Sequence, residues 1–179
     1  MKNKGRTAVA AYDRIRLQQI ERQAEGYLEL GMAQDALDAL ARRGAGAPRS
    51  ARGHYLEGEA LRALERYEDA LAPLEKAARL APGEVRTWLA LAWCHKRTAR
   101  LDAAIKDMER ALELAPEEAL LHYNLACYLS LAGRKRPALT HLARAFALDA
   151  SYRELTGSEP DFDPIRSDPQ FRALTSSSA

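Results

Sequence analysis

Apolar residues recur at helical spacing along almost the whole chain. Leu17, Ile20, Ala24, Tyr27 and Leu28 stand at i, i+3, i+7, i+10 and i+11, which is one face of a helix. The same stripe returns further on as Trp88, Leu91, Ala92 and His95, and again as His122, Leu125, Ala126 and Leu129. A second, shorter stripe follows each first one: Ala70, Leu74 and Ala77, then Ala104, Met108 and Ala111, then Ala138, Leu142 and Ala145. The spacing therefore predicts pairs of amphipathic helices, each long enough for three turns and each with a single buried face.

The pairs keep a beat of 34 residues. Pro48, Pro82 and Pro116 mark it at the end of successive units, with Ala150 in the next place, and Ala36, Ala70, Ala104 and Ala138 mark it inside them. A fixed period of this length means that each unit is one supersecondary element that buries its apolar face only by stacking on its neighbours. Units are placed at 17–50, 51–84, 85–118 and 119–152. The first departs most from the pattern, with Gln23 and Arg43 in core places and Gly44, Gly46 and Pro48 in its closing connection, as suits an end unit with one neighbour fewer. Small residues at places 8 and 20 of each unit allow two helix backbones to approach closely. Pro73 lies within a second helix, where a mild kink is expected, while Pro137 lies near a first turn, where proline is tolerated.

Beyond the repeats, residues 1–16 read as a basic N-terminal segment with a helical extension that either prolongs the first helix or docks separately. Residues 153–175 read as a C-terminal capping segment. It contains a truncated helix at Tyr152 to Thr156, two Asp-Pro steps at Asp163 and Asp168, and a last helix from Asp168 to about Thr175. Phe162, Ile165, Phe171 and Leu174 are expected to cover the apolar side of the last full unit, and 176–179 to be a disordered tail.

The pattern resembles the tetratricopeptide repeat, whose period and residue signature match the places held by Trp88, Leu91, Ala92, Ala104 and Pro116. The final segment is similar to the one that closes many bacterial proteins of this family. The resemblance implies an all-α fold: a right-handed superhelical solenoid of about four antiparallel helix-turn-helix repeats, plus capping helices. It also implies a protein-protein interaction scaffold whose concave groove is lined by places 2, 5, 9, 12 and 13 of each first helix. On this chain the groove residues are Arg52, Tyr55, Glu59, Arg62, Arg86, Leu89, Trp93, Lys96, Arg97, Tyr123 and Cys127, with Asn124 beside them. The basic clamp of the family's chaperone-tail binders is missing, since Leu89 and Ala90 stand where basic residues would be needed.

Composition adds exclusions. A hydrophobic share of 47% with only 7% aromatic means that alanine and leucine do the packing, which favours helices. A net charge of +2 is too small to argue for nucleic acid, and no apolar run is long enough for a membrane span, so a cytoplasmic location is expected. Cys94 and Cys127 have no metal or disulfide spacing. His54, His95 and His122 fall in core places and His141 on a second helix, with no nucleophile in register, so neither an enzyme nor a cofactor or metal is expected.

Two functional readings follow. One is an adaptor that binds a peptide segment, acidic by the cations around Trp93, in the groove. The alternative is a structural module that assembles into homo-oligomers through its terminal repeats.

Overall fold

The computed structural model describes residues 3–43 and 49–176, with side chains from Arg14 onward. Among the described residues there is no strand: the chain is α-helical and packed as successive helix pairs. Expectations for Met1, Lys2, the loop at Gly44, Gly46 and Pro48, and residues 177–179 of the tail lie outside the described residues.

The chain divides into two compact units between Pro82 and Gly83. The N-terminal unit holds α1 (Asn3–Glu29), α2 (Ala33–Ala41), α3 (Ala51–Ala63) and α4 (Tyr67–Leu80). The segment before Leu17 is thus one continuous helix with the residues after it, not a separately docked helix. Ala24 on α1 and Ala36 on α2 are fully buried where these helices cross, and Leu40, Leu56 and Ala60 complete that core. The α3–α4 crossing is closer still. A Cβ built on Gly58 would lie 2.4 Å from Leu74 Cγ, so place 8 of this unit holds glycine because α4's leucine occupies the space a side chain needs. α4 remains helical through the buried Pro73.

The C-terminal unit holds α5 (Val85–Arg97), α6 (Leu101–Leu114), α7 (Ala119–Leu131) and α8 (Lys135–Leu148), then α9 (Tyr152–Thr156), a 3-10 helix at Pro160–Ile165, and α10 (Pro169–Ser176). Ala92 and Ala104, and Ala126 and Ala138, repeat the close crossing at full burial, with Ile105, Met108, Leu125 and Leu142 filling the space between.

Each helix pair turns in the same way. Place 15 is left-handed in all four units, at Gly31 (φ 73°), Glu65 (φ 58°), Ala99 (φ 59°) and Gly133 (φ 68°). In each, the amide of this residue donates three residues back, as Gly31 does to Leu28 at 3.0 Å, and the next amide donates five residues back, as Arg100 does to His95 at 2.8 Å. That paired closure is a Schellman motif, and glycine is its natural residue. Glu65 and Ala99 adopt it despite their Cβ atoms.

The closing segment covers α7 and α8 from the open end. Phe162, Ile165 and Phe171 are buried there, and burial of each such side chain contributes about 1.5–3 kcal/mol. Asp168 starts α10 as its sequence suggests, Oδ1 accepting from the amides of Gln170 (2.8 Å) and Phe171 (3.3 Å). The other Asp-Pro step behaves differently. Its 3-10 helix begins at Pro160 under a Glu159 cap, while Asp163 pairs with Arg166, whose guanidinium also donates to the carbonyls of Gly157 (2.8 Å) and Glu159 (2.7 Å).

Candidate functional site

The candidate surface is the exposed face of the first helix of each pair, and each unit is described by itself.

In the N-terminal unit, α3 supplies Arg52, Tyr55, Glu59 and Arg62. Arg52 is ion-paired with Glu25 of α1. Glu59 and Arg62 form a two-pronged pair within one helical turn, Nε to Oε1 at 2.8 Å and Nη2 to Oε2 at 2.9 Å, so the face carries its acid already matched. Tyr55 is half-buried and packs against the α1–α3 core. Behind this face lies a buried polar cluster. The Ser50 hydroxyl accepts from the Gly53 amide at 2.9 Å, which caps α3, and donates to Glu21 of α1. A Cβ on Gly53 would come within 2.8 Å of Glu21 Oε1 and 3.1 Å of Arg43 Nη1, so this glycine makes room for the cluster. His54 beside it is held below its usual pKa by burial and by the positive field of Arg49.

In the C-terminal unit the face is built from α5 and α7. α5 reads VRTWLALAWCHKR: three cations, Arg86, Lys96 and Arg97, and no carboxylate. Arg86 and Arg97 are exposed and Leu89 is half-buried. Trp93 is 38% exposed, a large area of indole for a soluble helix to leave in water. Lys96 Nζ lies 5.7 Å from the centre of its ring and 5.6 Å from that of Tyr128 on α7, and is ion-paired with Asp161 of the 3-10 helix.

One helix along, the surface closes. Tyr123 and Cys127 are 6% and 3% exposed. The Tyr123 ring meets Tyr152 at 4.8 Å and the edge of Phe162 at 5.6 Å, and Phe162 in turn meets Phe171 at 5.6 Å. These two groove residues therefore sit under the chain's own closing segment, which repeat-level reasoning did not seat there. Burial, followed by the carboxylates of Asp161 and Glu159, pushes the Cys127 thiol far above its usual pKa, which disfavours the thiolate. Asn124 is half-buried on the same helix. Phe162 and Ile165, expected from the sequence to cover the last full unit, do so across the groove position Tyr123.

Three of the histidines, His95, His122 and His141, find hydrogen-bonding partners nearby. His95 Nδ1 lies 2.6 Å from Asp107 Oδ2 across the α5–α6 pair. His122 Nε2–H donates to the Pro116 carbonyl at 2.9 Å, which leaves its Nδ1 to accept from His141 Nδ1–H at 3.0 Å. His141 is held below its usual pKa by burial and by His122. Among the described residues no three His, Cys, Asp or Glu side chains gather as a metal site would require, and no helix is long and apolar enough to cross a membrane.

Two spans, 51–84 and 85–118, match the family model for the tetratricopeptide repeat, and they coincide with the second and third units of the 34-residue beat. The chain carries tetratricopeptide repeats. Solved structures extend the likeness over most of its length. MamA from Desulfovibrio magneticus RS-1 is 23% identical, with 75% of this chain and 76% of that one covered at a TM-score of 0.70. A MamA structure from AMB-1 is 26% identical over 74% and 78%, with a TM-score of 0.67. YrrB, a tetratricopeptide-repeat protein with an unusual peptide-binding site, is 21% identical over 72% and 66%, also at 0.67. No curated protein matches the sequence. These structures share the tetratricopeptide fold with this chain.

Proposed function

We propose that this protein is a non-enzymatic adaptor that binds a segment of a partner protein on the first-helix face of its repeats. The observation that carries the reading is Trp93: an indole 38% exposed on a helix whose charged residues are all cationic. Tryptophan beside arginine is the composition of binding hot spots, because a large rigid apolar surface is desolvated next to a group that holds a carboxylate. Stacked helix pairs present such faces as extended binding surfaces, and YrrB, of like fold, has a peptide-binding site. The cations of α5 favour an acidic segment. Catalysis is no part of the reading: burial disfavours the Cys127 thiolate, and His95, His122 and His141 face neighbouring side chains or a backbone carbonyl.

The test is fluorescence anisotropy of labelled acidic peptides that carry one aromatic residue, titrated with wild type and Trp93→Ala. Loss of about 2 kcal/mol or more, some thirtyfold in Kd, is expected for a hot-spot tryptophan. Equal affinity of the two proteins for every peptide would refute the assignment.

A further inference from the structure

The 3-10 helix already shows what one part of the C-terminal unit's face accepts. Its sequence from Glu159 to Ile165 alternates acid and apolar residues, and it lies on α7 with Phe162 fully buried among Tyr123 and Phe171. Asp161, the residue before that phenylalanine, reaches across to Lys96 of α5. Lys96 therefore has two loyalties. Its ammonium is paired with the closing segment, and the same ammonium lies beside the ring of the exposed Trp93. Both members of the pair are largely withdrawn from water, with side chains 21% and 15% exposed, so their attraction is screened less than that of a surface pair.

We propose that residues 159–165 are a tethered occupant of this face, and that the partner is an acidic segment with an aromatic residue whose carboxylate contests Lys96 with Asp161. The inference rests on the reading of the α5 face as the binding surface. Phe162, Ile165 and Phe171 keep the segment docked throughout, because their burial does not depend on Lys96. Only the carboxylate is exchanged. Asp161 thereby acts as a built-in competitor that sets a threshold of acidity for partners: a neutral segment gains nothing from Lys96, whereas an acidic one takes it over at the cost of leaving Asp161 unpaired.

The probe is a labelled, C-terminally amidated peptide with the chain's own sequence from Glu159 to Ile165, beside an amidated control with glutamine in place of the glutamate and asparagine at both aspartate positions. Anisotropy titrations use full-length wild type, Asp161→Asn, Lys96→Gln and Trp93→Ala, with far-UV circular dichroism to verify that each is folded. Asp161→Ser replaces Asp161→Asn if the latter unfolds. Removing the internal carboxylate is expected to tighten binding of the acidic probe about tenfold, with the gain lost at high salt and absent for the control peptide. Lys96→Gln is expected to bind weakly whichever residue stands at 161. If Asp161→Asn binds the acidic probe no better than wild type while Trp93→Ala weakens both, the competition is refuted and the binding face stands. If neither wild type nor Asp161→Asn binds the probe, both fail.

Discussion

Two helical glycines should respond to the same substitution in opposite directions. At Gly26, in the last turn of α1, a Cβ would meet nothing within 4 Å. Gly26→Ala there simply removes the excess freedom of glycine in the unfolded chain and is expected to stabilise by about 0.5–1 kcal/mol. At Gly58 the new Cβ would lie 2.4 Å from Leu74 Cγ and 2.5 Å from Cδ2. Carbon atoms rest at about 3.5–4.0 Å, so the pair must separate by more than 1 Å. Leu74 is 0% exposed and has no solvent to swing into. The strain falls at the upper end of the range for overpacking, about 3 kcal/mol, against a helix-propensity gain of about 1 kcal/mol, leaving a net loss of about 2 kcal/mol. Urea unfolding followed by circular dichroism reads both variants. Leu74→Ala in the Gly58→Ala background removes the atoms that clash, so the double-mutant cycle is expected to show a favourable coupling of about 1–2 kcal/mol. A Gly58→Ala protein as stable as Gly26→Ala would refute the close packing of α3 on Leu74 of α4.

Other consequences are measurable on the same material. Ala99→Gly and Glu65→Gly place glycine in a left-handed turn position already held by Gly31 and Gly133, and each is expected to raise the urea midpoint by the equivalent of about 0.5–1 kcal/mol; a drop would refute the strain at these turns. Phe162→Ala should cost about 3–5 kcal/mol in the C-terminal unit and expose Tyr123, seen as increased acrylamide quenching of tyrosine emission; unchanged stability and quenching would remove the closing segment from α7. Stability should also fall on mild acidification. His54 and His141 are held below their usual pKa in the folded state, chiefly by burial, so the unfolded chain takes up protons first as pH falls through about 6.5. Unfolding at pH 7.5 and pH 5 should show this loss, and His141→Gln should reduce it. Asp168, lowered by its hydrogen bond to Lys135, contributes stability that is lost only in the more acidic range below the ordinary carboxylate pKa, so it does not confuse the window.

Much of the architecture was legible along the chain because a repeat fold is made of local contacts. Places 8 and 20 are separated by a dozen residues, and their small side chains at Gly58, Ala92, Ala104 and Ala138 report directly that two helices cross closely. Asp168 before Pro169 announced a helix start for the same reason: the cap bonds reach only two and three residues ahead. Even the left-handed turns were half visible, since Gly31 and Gly133 mark them. Glu65 and Ala99 do not, because the Schellman hydrogen bonds and the packing of both flanking helices hold those residues against their own preference.

The candidate surface divides along the same line. The residue types on α5, with Trp93 among cations, follow from the register of one amphipathic helix and could be read from the sequence. Whether a place on such a face meets water is decided by what lies over it. Lys96 and Asp161 are 65 residues apart, and no period links them. Tyr123 and Cys127 carry the register of groove residues yet are buried, because the chain turns back after Thr156 and lays Phe162 across α7. Periodicity specifies which side of a helix faces its neighbour in the stack, and the apolar residues of the tail announce a cover for the last unit; that this cover lies over Tyr123 and Cys127 is set by side-chain fit and charge between distant segments, and only the tertiary structure decides it.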